Sequence, residues 1–325
     1  MTETRVGVIG VGTMGQHHTR VYNELPTAEL VGVADADAER AAEIAAEYST
    51  RSFAVDELID RVDAVTIAVP TKFHYDLARQ CIDAGVDLLI EKPIVEDPEH
   101  GRALIEAADR AGVTLQVGHI ERHNPVVKTL EEIVPDLDVI AFEAERLGPT
   151  PDRGILDSAV IDLMIHDIDI VRSLVGSSVE SIDAVGAAEG RHATATLAFE
   201  EGVVGTLTAS RVTQTKTRTL SITAEDCYVT ADYIDQSVQI HRQSVPEFVT
   251  NNGDVRYRHE SVVENPAVDN GEPLKYELRS FIEACANDTE PPVTGEEGLR
   301  ALEIAREINA AAFGDEQKAV PVMRE

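Results

Sequence analysis

Residues 5–15, RVGVIGVGTMG, are a short apolar strand running straight into a glycine-rich turn, and that junction decides the fold of the first third of the chain. After its first position RVGVI (5–9) carries only branched apolar residues and glycine, the composition of a strand buried on both faces. Gly10, Gly12 and Gly15 follow in G-x-G-x-x-G spacing, with Thr13 and Met14 between the last two, and helix-compatible sequence comes next. A second apolar run, AELVGVAD, ends at Asp35, twenty residues past Gly15. A glycine triplet alone is a weak signal. Between a strand and a helix, with a carboxylate closing the next strand, it has the context of a dinucleotide-binding turn.

Gly10 permits the tight turn, Gly12 lets the backbone approach a pyrophosphate, and Gly15 lets the helix lie close on the strand. The phosphates then sit at the helix N-terminus. A carboxylate at Asp35 accepts hydrogen bonds from ribose hydroxyls and repels a 2′-phosphate, which favours NAD over NADP; Arg40, a turn further on, pulls the other way.

The alternation continues outward. DAVTIAV (63–69), VDLLIEKP (86–93) and VTLQVGH (113–119) read as strands, separated by helices at HYDLARQCIDAG (74–85) and PEHGRALIEAADRAG (98–112). Apolar strands alternating with helices imply a doubly wound parallel sheet of the Rossmann type, and we assign it residues 1–124. In such sheets ligands bind beyond the carboxyl ends of the strands. Four strand ends therefore matter: Gly10–Gly15, Pro70–His74, Glu91–Pro93 and His119–Pro125. Lys92 places an ammonium at one of these ends, and Pro93 stops the strand there. Glu91 is placed to pair with Lys92 or to contact the nicotinamide end of a cofactor.

After Pro125 the rhythm changes. One helix (VVKTLEEIV), a strand (VIAFEAERL) and a helix over 157–175 lead into alternating β segments, two of them joined as a hairpin by Glu200-Glu201-Gly202. Residues 125–325 thus read as an α+β domain built on a large open antiparallel sheet. An open sheet with an apolar face needs cover, so a homodimer or homotetramer through that sheet is expected, and the last helices are expected to return against the first domain. Polar residues from 244 to 272 suggest loops and an edge hairpin.

The helix at 157–175 contains IDLMIHDIDIV (161–171), where three aspartates and a histidine interrupt an apolar run. Aspartate is almost never fully buried unless paired. Asp162 and His166, four residues apart, share a helical face; Asp169 continues it and Asp167 points elsewhere. An imidazole beside a carboxylate has its charged form stabilised and its tautomer fixed, as a general base requires. Arg146 and Arg153 suit a diphosphate, because guanidinium forks match phosphate oxygens.

The totals exclude several classes. The chain has 325 residues and a formal net charge of −31, which repels nucleic acid. No apolar run of 18 or more residues is present, so no membrane span is expected, and the N-terminus lacks the basic and apolar regions of a signal peptide. Cys81, Cys227 and Cys285 are an odd, dispersed set, which points to a reducing cytoplasm, buried thiols and no zinc site. No metal site is expected from the histidines either, since HExxH spacing is absent.

The chain resembles the Gfo/Idh/MocA family of sugar and inositol dehydrogenases nearly end to end. The similarity rests on GVIGVGTMG, Asp35, AVPTKFHYD (68–76), IEKPI (90–94), VGHIERHNP (117–125), the Asp-xxx-His of DLMIH (162–166) and the closing EPLKYELRSFIEACANDTEPPVTGEEGLRALEIA. It implies an NAD-dependent dehydrogenase acting on a secondary hydroxyl of a sugar, sugar nucleotide or cyclitol. Lys92, Asp162 and His166 would be its catalytic trio, and Pro70, His74, His119 and Arg122 would lie near the cofactor. Asn124 would lie near the substrate, with Lys92, Asp162 and His166. GHIERHNP and RLGPTPDRGILDSAVIDLMIHDID most resemble the branch that oxidises the 3-hydroxyl of UDP-N-acetylglucosamine, with inositol 2-dehydrogenases the alternative; His123 stands where an aromatic such as Phe is expected. A family member that binds NAD(H) as a regulator without turnover is the rival of another class.

Arginine greatly outnumbers lysine, and the acid is spread along the chain rather than gathered in a tail. Such a surface suits a salt-rich cytoplasm, where dense counterions screen the self-repulsion. The unfolding midpoint is therefore expected to rise between low and molar KCl; a midpoint that stays level or falls would remove this adaptation.

Overall fold

The computed structural model describes residues 3–150, 157–243, 247–251, 254–258 and 260–314. The alternating region comprises β1 (Thr4–Ile9), α1 (Thr13–Glu24), β2 (Ala28–Ala34), α2 (Ala38–Glu47), β3 (Arg51–Ser52), α3 (Val55–Ile59), β4 (Ala64–Ile67), α4 (His74–Asp83), β5 (Asp87–Glu91), α5 (Pro98–Ala111) and β6 (Leu115–Gly118). Next come α6 (Pro125–Ile133), β7 (Val139–Leu147) and a π-helical turn, Val160–Met164, that leads into α7 (Ile165–Val175). The strands β8 (Val179–Ala187), β9 (His192–Phe199), β10 (Val204–Ser210), β11 (Thr217–Ala224), β12 (Cys227–Asp232) and β13 (Ser237–Gln243) follow. The chain continues through β14 (Glu247–Asn251), β15 (Asp254–Arg258), β16 (Ser261–Glu264), α8 (Pro273–Asn287) and α9 (Gly295–Phe313).

Two compact units divide the chain: one up to His123 together with Gly271–Glu303, the other Asn124–Asn270 together with the chain from Ile304 onward. In the first, the strands run parallel in the order β3-β2-β1-β4-β5-β6, so both ends of the sheet are reached by crossing helices. Alternation along the strands feeds two cores. Val6, Val8, Ala64 and Leu89 pack with Val21, Tyr22 and Leu25 of α1 and Leu274, Leu278 and Phe281 of α8. Ile9, Val65, Ile67, Leu88 and Ile90 pack with residues of α4 and α5, including Ala78, Ile82 and Leu104, and with Leu299 and Leu302 of α9. Each such side chain, fully buried, stabilises by about 1.5–3 kcal/mol, far more than a surface ion pair at about 0–1. Apolar layering, not the many exposed charges, therefore holds this unit.

The second unit is an eight-stranded sheet in the order β16-β13-β12-β11-β7-β10-β9-β8. It departs from a purely antiparallel sheet at one place, because β7 and β10 pair in parallel. The Glu200–Gly202 hairpin forms, with Gly202 at φ +83° and the amide of Phe199 donating to Val203 O. β14 and β15 make their own two-stranded ladder rather than extending the large sheet, whose edge is β16. Ala193, Leu197, Leu207, Leu220, Ile222 and Val229 are buried on one face. The other face carries threonines, including the Thr194–Thr208 hydroxyl pair at 3.2 Å, and exposed Val185, Val204, Tyr228 and Val263. Among the described residues no helix is long and apolar enough to cross a membrane.

One buried group in the first unit opposes burial. Glu277 of α8 is fully enclosed, and among the described residues neither carboxyl oxygen has a hydrogen-bond partner. Burial, reinforced by the charge of Glu91, pushes this carboxyl well above the usual carboxylate range. The folded chain therefore keeps a proton that the unfolded chain releases above the ordinary range. Stability is complete below that range and falls as pH rises toward the folded-state value, at up to about 1.4 kcal/mol per pH unit. Glu277→Gln removes the titration, so its melting temperature relative to wild type is expected to climb as pH rises from 5 to 8. A difference that stays constant with pH would show that the carboxyl is charged when folded.

Candidate active site

The first unit gathers the glycine turn, the strand-end acid and the lysine at the carboxyl ends of its strands β1, β2 and β5. Gly10 has φ +91°, a left-handed conformation that favours glycine, and an added Cβ would lie 2.7 Å from Ala68 O. At Gly15 a Cβ would sit 1.7 Å from Gly10 O, so helix and strand touch backbone to backbone. Gly12 is exposed and meets nothing within 4 Å, leaving open space above the turn. No side chain caps the N-terminus of α1, so the amides around Thr13 and Met14 are offered outward. An open approach to uncapped helix amides fits the diphosphate of a dinucleotide.

Asp35 is tied to both sides of this cradle. Its Oδ2 accepts from the amide of Val11 at 2.7 Å and its Oδ1 from the amide of Asp37 at 2.9 Å. Asp37 then caps α2, accepting from Glu39 N and Arg40 N. The Arg40 guanidinium lies against Gln16 of α1 and Glu43.

At the end of β5, Glu91 does not turn to the Lys92 side chain alone. Its Oε1 pairs with His18 Nε2 at 2.9 Å, and its Oε2 accepts from the amide of Lys92 at 3.2 Å. Burial works against the charge on Glu91, but the hydrogen bond and charge of His18, with Lys92 nearby, hold it below the usual carboxylate range. Lys92 is half-buried and its peptide to Pro93 is cis. Beside it, the buried imidazole of His74 lies between the carbonyls of Pro93, at 3.0 Å from Nδ1, and Val69, at 2.9 Å from Nε2. Burial keeps the His74 pKa below the ordinary value, so the neutral ring donates its one N–H to one of these carbonyls while packing between the loops after β4 and β5, which include exposed Pro70. His119 is buried at the end of β6. Arg122 donates to Glu297 at 3.2 Å, which ties it to the C-terminal segment.

The second unit explains the aspartates. Asp167 is buried and forked by Arg146 of β7, Nε to Oδ2 at 2.7 Å and Nη2 to Oδ1 at 2.8 Å. Arg146, expected at a diphosphate, has its fork filled in this structure by an aspartate of the same chain. Asn124 is likewise turned inward, its Oδ1 accepting from Val126 N as the cap of α6 and its Nδ2 donating to Tyr233 O. The buried amide thus holds the start of α6. Asp162 lies in the π-helical turn, half-buried, and its Oδ2 accepts from Arg211 Nη2 at 2.6 Å. His166, half-buried, stands in the first turn of α7, so Asp162 and His166 belong to one continuous helical segment. Arg153 lies outside the described residues.

Sequence reading missed His18 and Arg211. His18 carried a faint signal, a polar residue on the face of α1 that also carries Tyr22; Arg211 carried none, because its partner lies 49 positions away. Among the described residues no group of three His, Cys, Asp or Glu side chains could hold a metal ion. Burial pushes the Cys81 thiol up to about 12, which disfavours the thiolate a nucleophile needs.

Comparison with known proteins agrees with this geometry. A model of the oxidoreductase family with an NAD-binding Rossmann fold matches residues 4–119, and the GFO/IDH/MocA C-terminal domain matches residues 142–230. The UDP-N-acetylglucosamine 3-dehydrogenase of Acidithiobacillus ferrooxidans is 35% identical, over 96% of this chain and 98% of its own length. A solved structure of that enzyme superposes with a TM-score of 0.86 over the same shares. An inositol 2-dehydrogenase of Rhizobium meliloti is 27% identical over 93% of this chain and 94% of its own. A glycine cradle with its strand-end acid, a Lys-Pro at the fifth strand end, and matches to both domains lead to one conclusion: the chain belongs to the Gfo/Idh/MocA family of NAD-binding oxidoreductases and is a dehydrogenase.

Proposed function

We propose that this dehydrogenase oxidises the 3-hydroxyl of UDP-N-acetylglucosamine, using Lys92, Asp162 and His166. One observation carries the reading: a half-buried lysine at the strand end beside the dinucleotide cradle, in a chain that also keeps Asp162 and His166 on one helical segment. The resemblance to the Acidithiobacillus enzyme over nearly the whole of both chains supports the choice of substrate.

NAD, when bound, accepts the hydride that leaves the carbinol carbon. Amides of the Gly10–Gly15 turn hold the diphosphate, and Asp35, already fixed by two backbone amides, receives the adenosine ribose hydroxyls. Oxidising a secondary alcohol to a ketone also releases the hydroxyl proton. His166 takes that proton. The Lys92 ammonium stabilises negative charge developing on the oxygen, a role that strengthens as water is excluded. Asp162 accepts a hydrogen bond that orients the sugar or the imidazole. Glu91, held by His18, fixes the Lys92 main chain. We further propose a cytoplasmic homodimer or homotetramer, joined through the sheet face that exposes Val185, Val204 and Tyr228.

The test follows NADH absorbance in molar KCl with UDP-N-acetylglucosamine, UDP-glucose, myo-inositol and free aldoses. UDP-N-acetylglucosamine is expected to give the highest kcat/KM. A clear preference for myo-inositol would move the assignment to an inositol 2-dehydrogenase, and NAD binding without turnover of any of them would favour a regulator. His166→Ala is expected to lower kcat by about 10²–10⁴-fold while leaving the NAD Kd nearly unchanged. Intact turnover in that variant would remove His166 as the base.

A further inference from the structure

Arg211 follows the last residue of β10 and is 5% exposed. Its guanidinium serves three acceptors within six residues of chain: Nη1 donates to Asp157 O at 2.6 Å, and Nη2 to Asp162 Oδ2 at 2.6 Å and Ser158 O at 3.4 Å. Its main chain is itself fixed, the amide donating to Arg191 O at 2.8 Å and the carbonyl accepting from Thr150 Oγ1 at 2.7 Å. Ala159 N donates to Gly190 O at 2.7 Å, and Ser158 Oγ bonds Asn309 Oδ1 at 2.6 Å. The segment entering the π-helical turn is therefore held at several points, and Arg211 also reaches the Asp162 carboxylate.

Two of the three acceptors are main-chain carbonyls, which hold the turn itself. The third contact is a charge-assisted bond to a side chain whose rotamer decides where its oxygens point. π-helical turns recur at functional sites because the extra residue re-aims side chains. A lysine, as a single point charge, cannot bridge carbonyl and carboxylate with the same planar fork.

We propose that Arg211 is a positioning residue for Asp162: it fixes one carboxylate oxygen and the turn that carries it, so that Asp162 orients the reacting groups and leaves proton removal to His166. The inference rests on the proposed role of Asp162. Arg211 needs no contact with substrate for it.

A double-mutant cycle tests it, with Arg211→Met, Asp162→Asn and the double variant assayed in the full chain with NAD and UDP-N-acetylglucosamine. Arg211→Met is expected to lower kcat by about 10–100-fold, the range for groups that orient a functional ligand, with KM for NAD unchanged. The double variant is expected to be no slower than Asp162→Asn, since the arginine acts through that carboxylate. Millimolar guanidinium ion is expected to restore part of the turnover of Arg211→Met and none of the double variant's. Losses that multiply in the double variant, or wild-type kcat in Arg211→Met, would overturn the inference while leaving Asp162 in its role. Wild-type turnover in Asp162→Asn would overturn both. If Arg211→Met lacks a cooperative thermal transition, Arg211→Lys carries the test: a lowered kcat with unchanged NAD affinity supports positioning, and a wild-type kcat contradicts it.

Discussion

The close approach of Gly15 to the carbonyl of Gly10 is the contact on which the first unit depends. With no Cβ at Gly15, α1 lies directly against the end of β1; any side chain would collide with the carbonyl at 1.7 Å. That seating has two consequences. The uncapped amides of α1 stand at the strand end, and the next turn of the helix brings His18 to 2.9 Å from Glu91 on β5. Glu91 in turn accepts from the amide of Lys92. One steric permission thus links the place proposed for the phosphates to the lysine proposed to steady the reacting oxygen.

A different logic holds the second unit. Two neighbouring strands, β7 and β10, run parallel, with Arg146 opposite Ala209 in register and Arg211 two residues further on. Each arginine is paired with an aspartate of the segment that crosses the sheet, Arg146 with Asp167 and Arg211 with Asp162. Removing one member of a buried pair costs about 3–5 kcal/mol, because the partner is left charged and dry. Two of the three aspartates that interrupt the apolar helix, Asp162 and Asp167, are thereby tolerated, and the segment cannot rotate without breaking both pairs. The Arg146–Asp167 pair is almost wholly enclosed, whereas Asp162 retains 23% of its side-chain exposure. That difference leaves Asp162, and not Asp167, open to the role proposed for it.

Much of this was legible before any coordinates. The parallel sheet follows from apolar runs and glycine stops, since local period and turn chemistry write themselves into consecutive residues. Gly85 and Gly112 end their helices at positive φ, and Asp37 and Asp97 cap theirs. The resemblance added the family and the second domain, and it supplied the trio as a proposal. What stayed hidden is pairing at a distance. Nothing in the order of residues ties Arg211 to Asp162, Arg146 to Asp167, or His18 to Glu91. Arginine suits a diphosphate because its fork fits phosphate and carboxylate alike, and nothing in the local pattern reveals that Arg146 is buried against an aspartate. The parallel β7–β10 pair and the π-helical turn were illegible for a similar reason, because a strand's partner and a one-residue insertion leave the local pattern almost unchanged. Glu277 was hidden too, inside a helix whose amphipathic pattern gives no hint of a carboxyl among Leu274, Leu278 and Phe281.

The account stands on hydride leaving one carbon of one sugar. UDP-N-acetylglucosamine carrying deuterium at C3, incubated with the protein and NAD, puts that to the test when the reduced cofactor is weighed by mass spectrometry. NADH carrying one deuterium in place of hydrogen is the predicted result; unlabelled NADH from that substrate would mean that another carbon is oxidised and that the assigned chemistry is wrong.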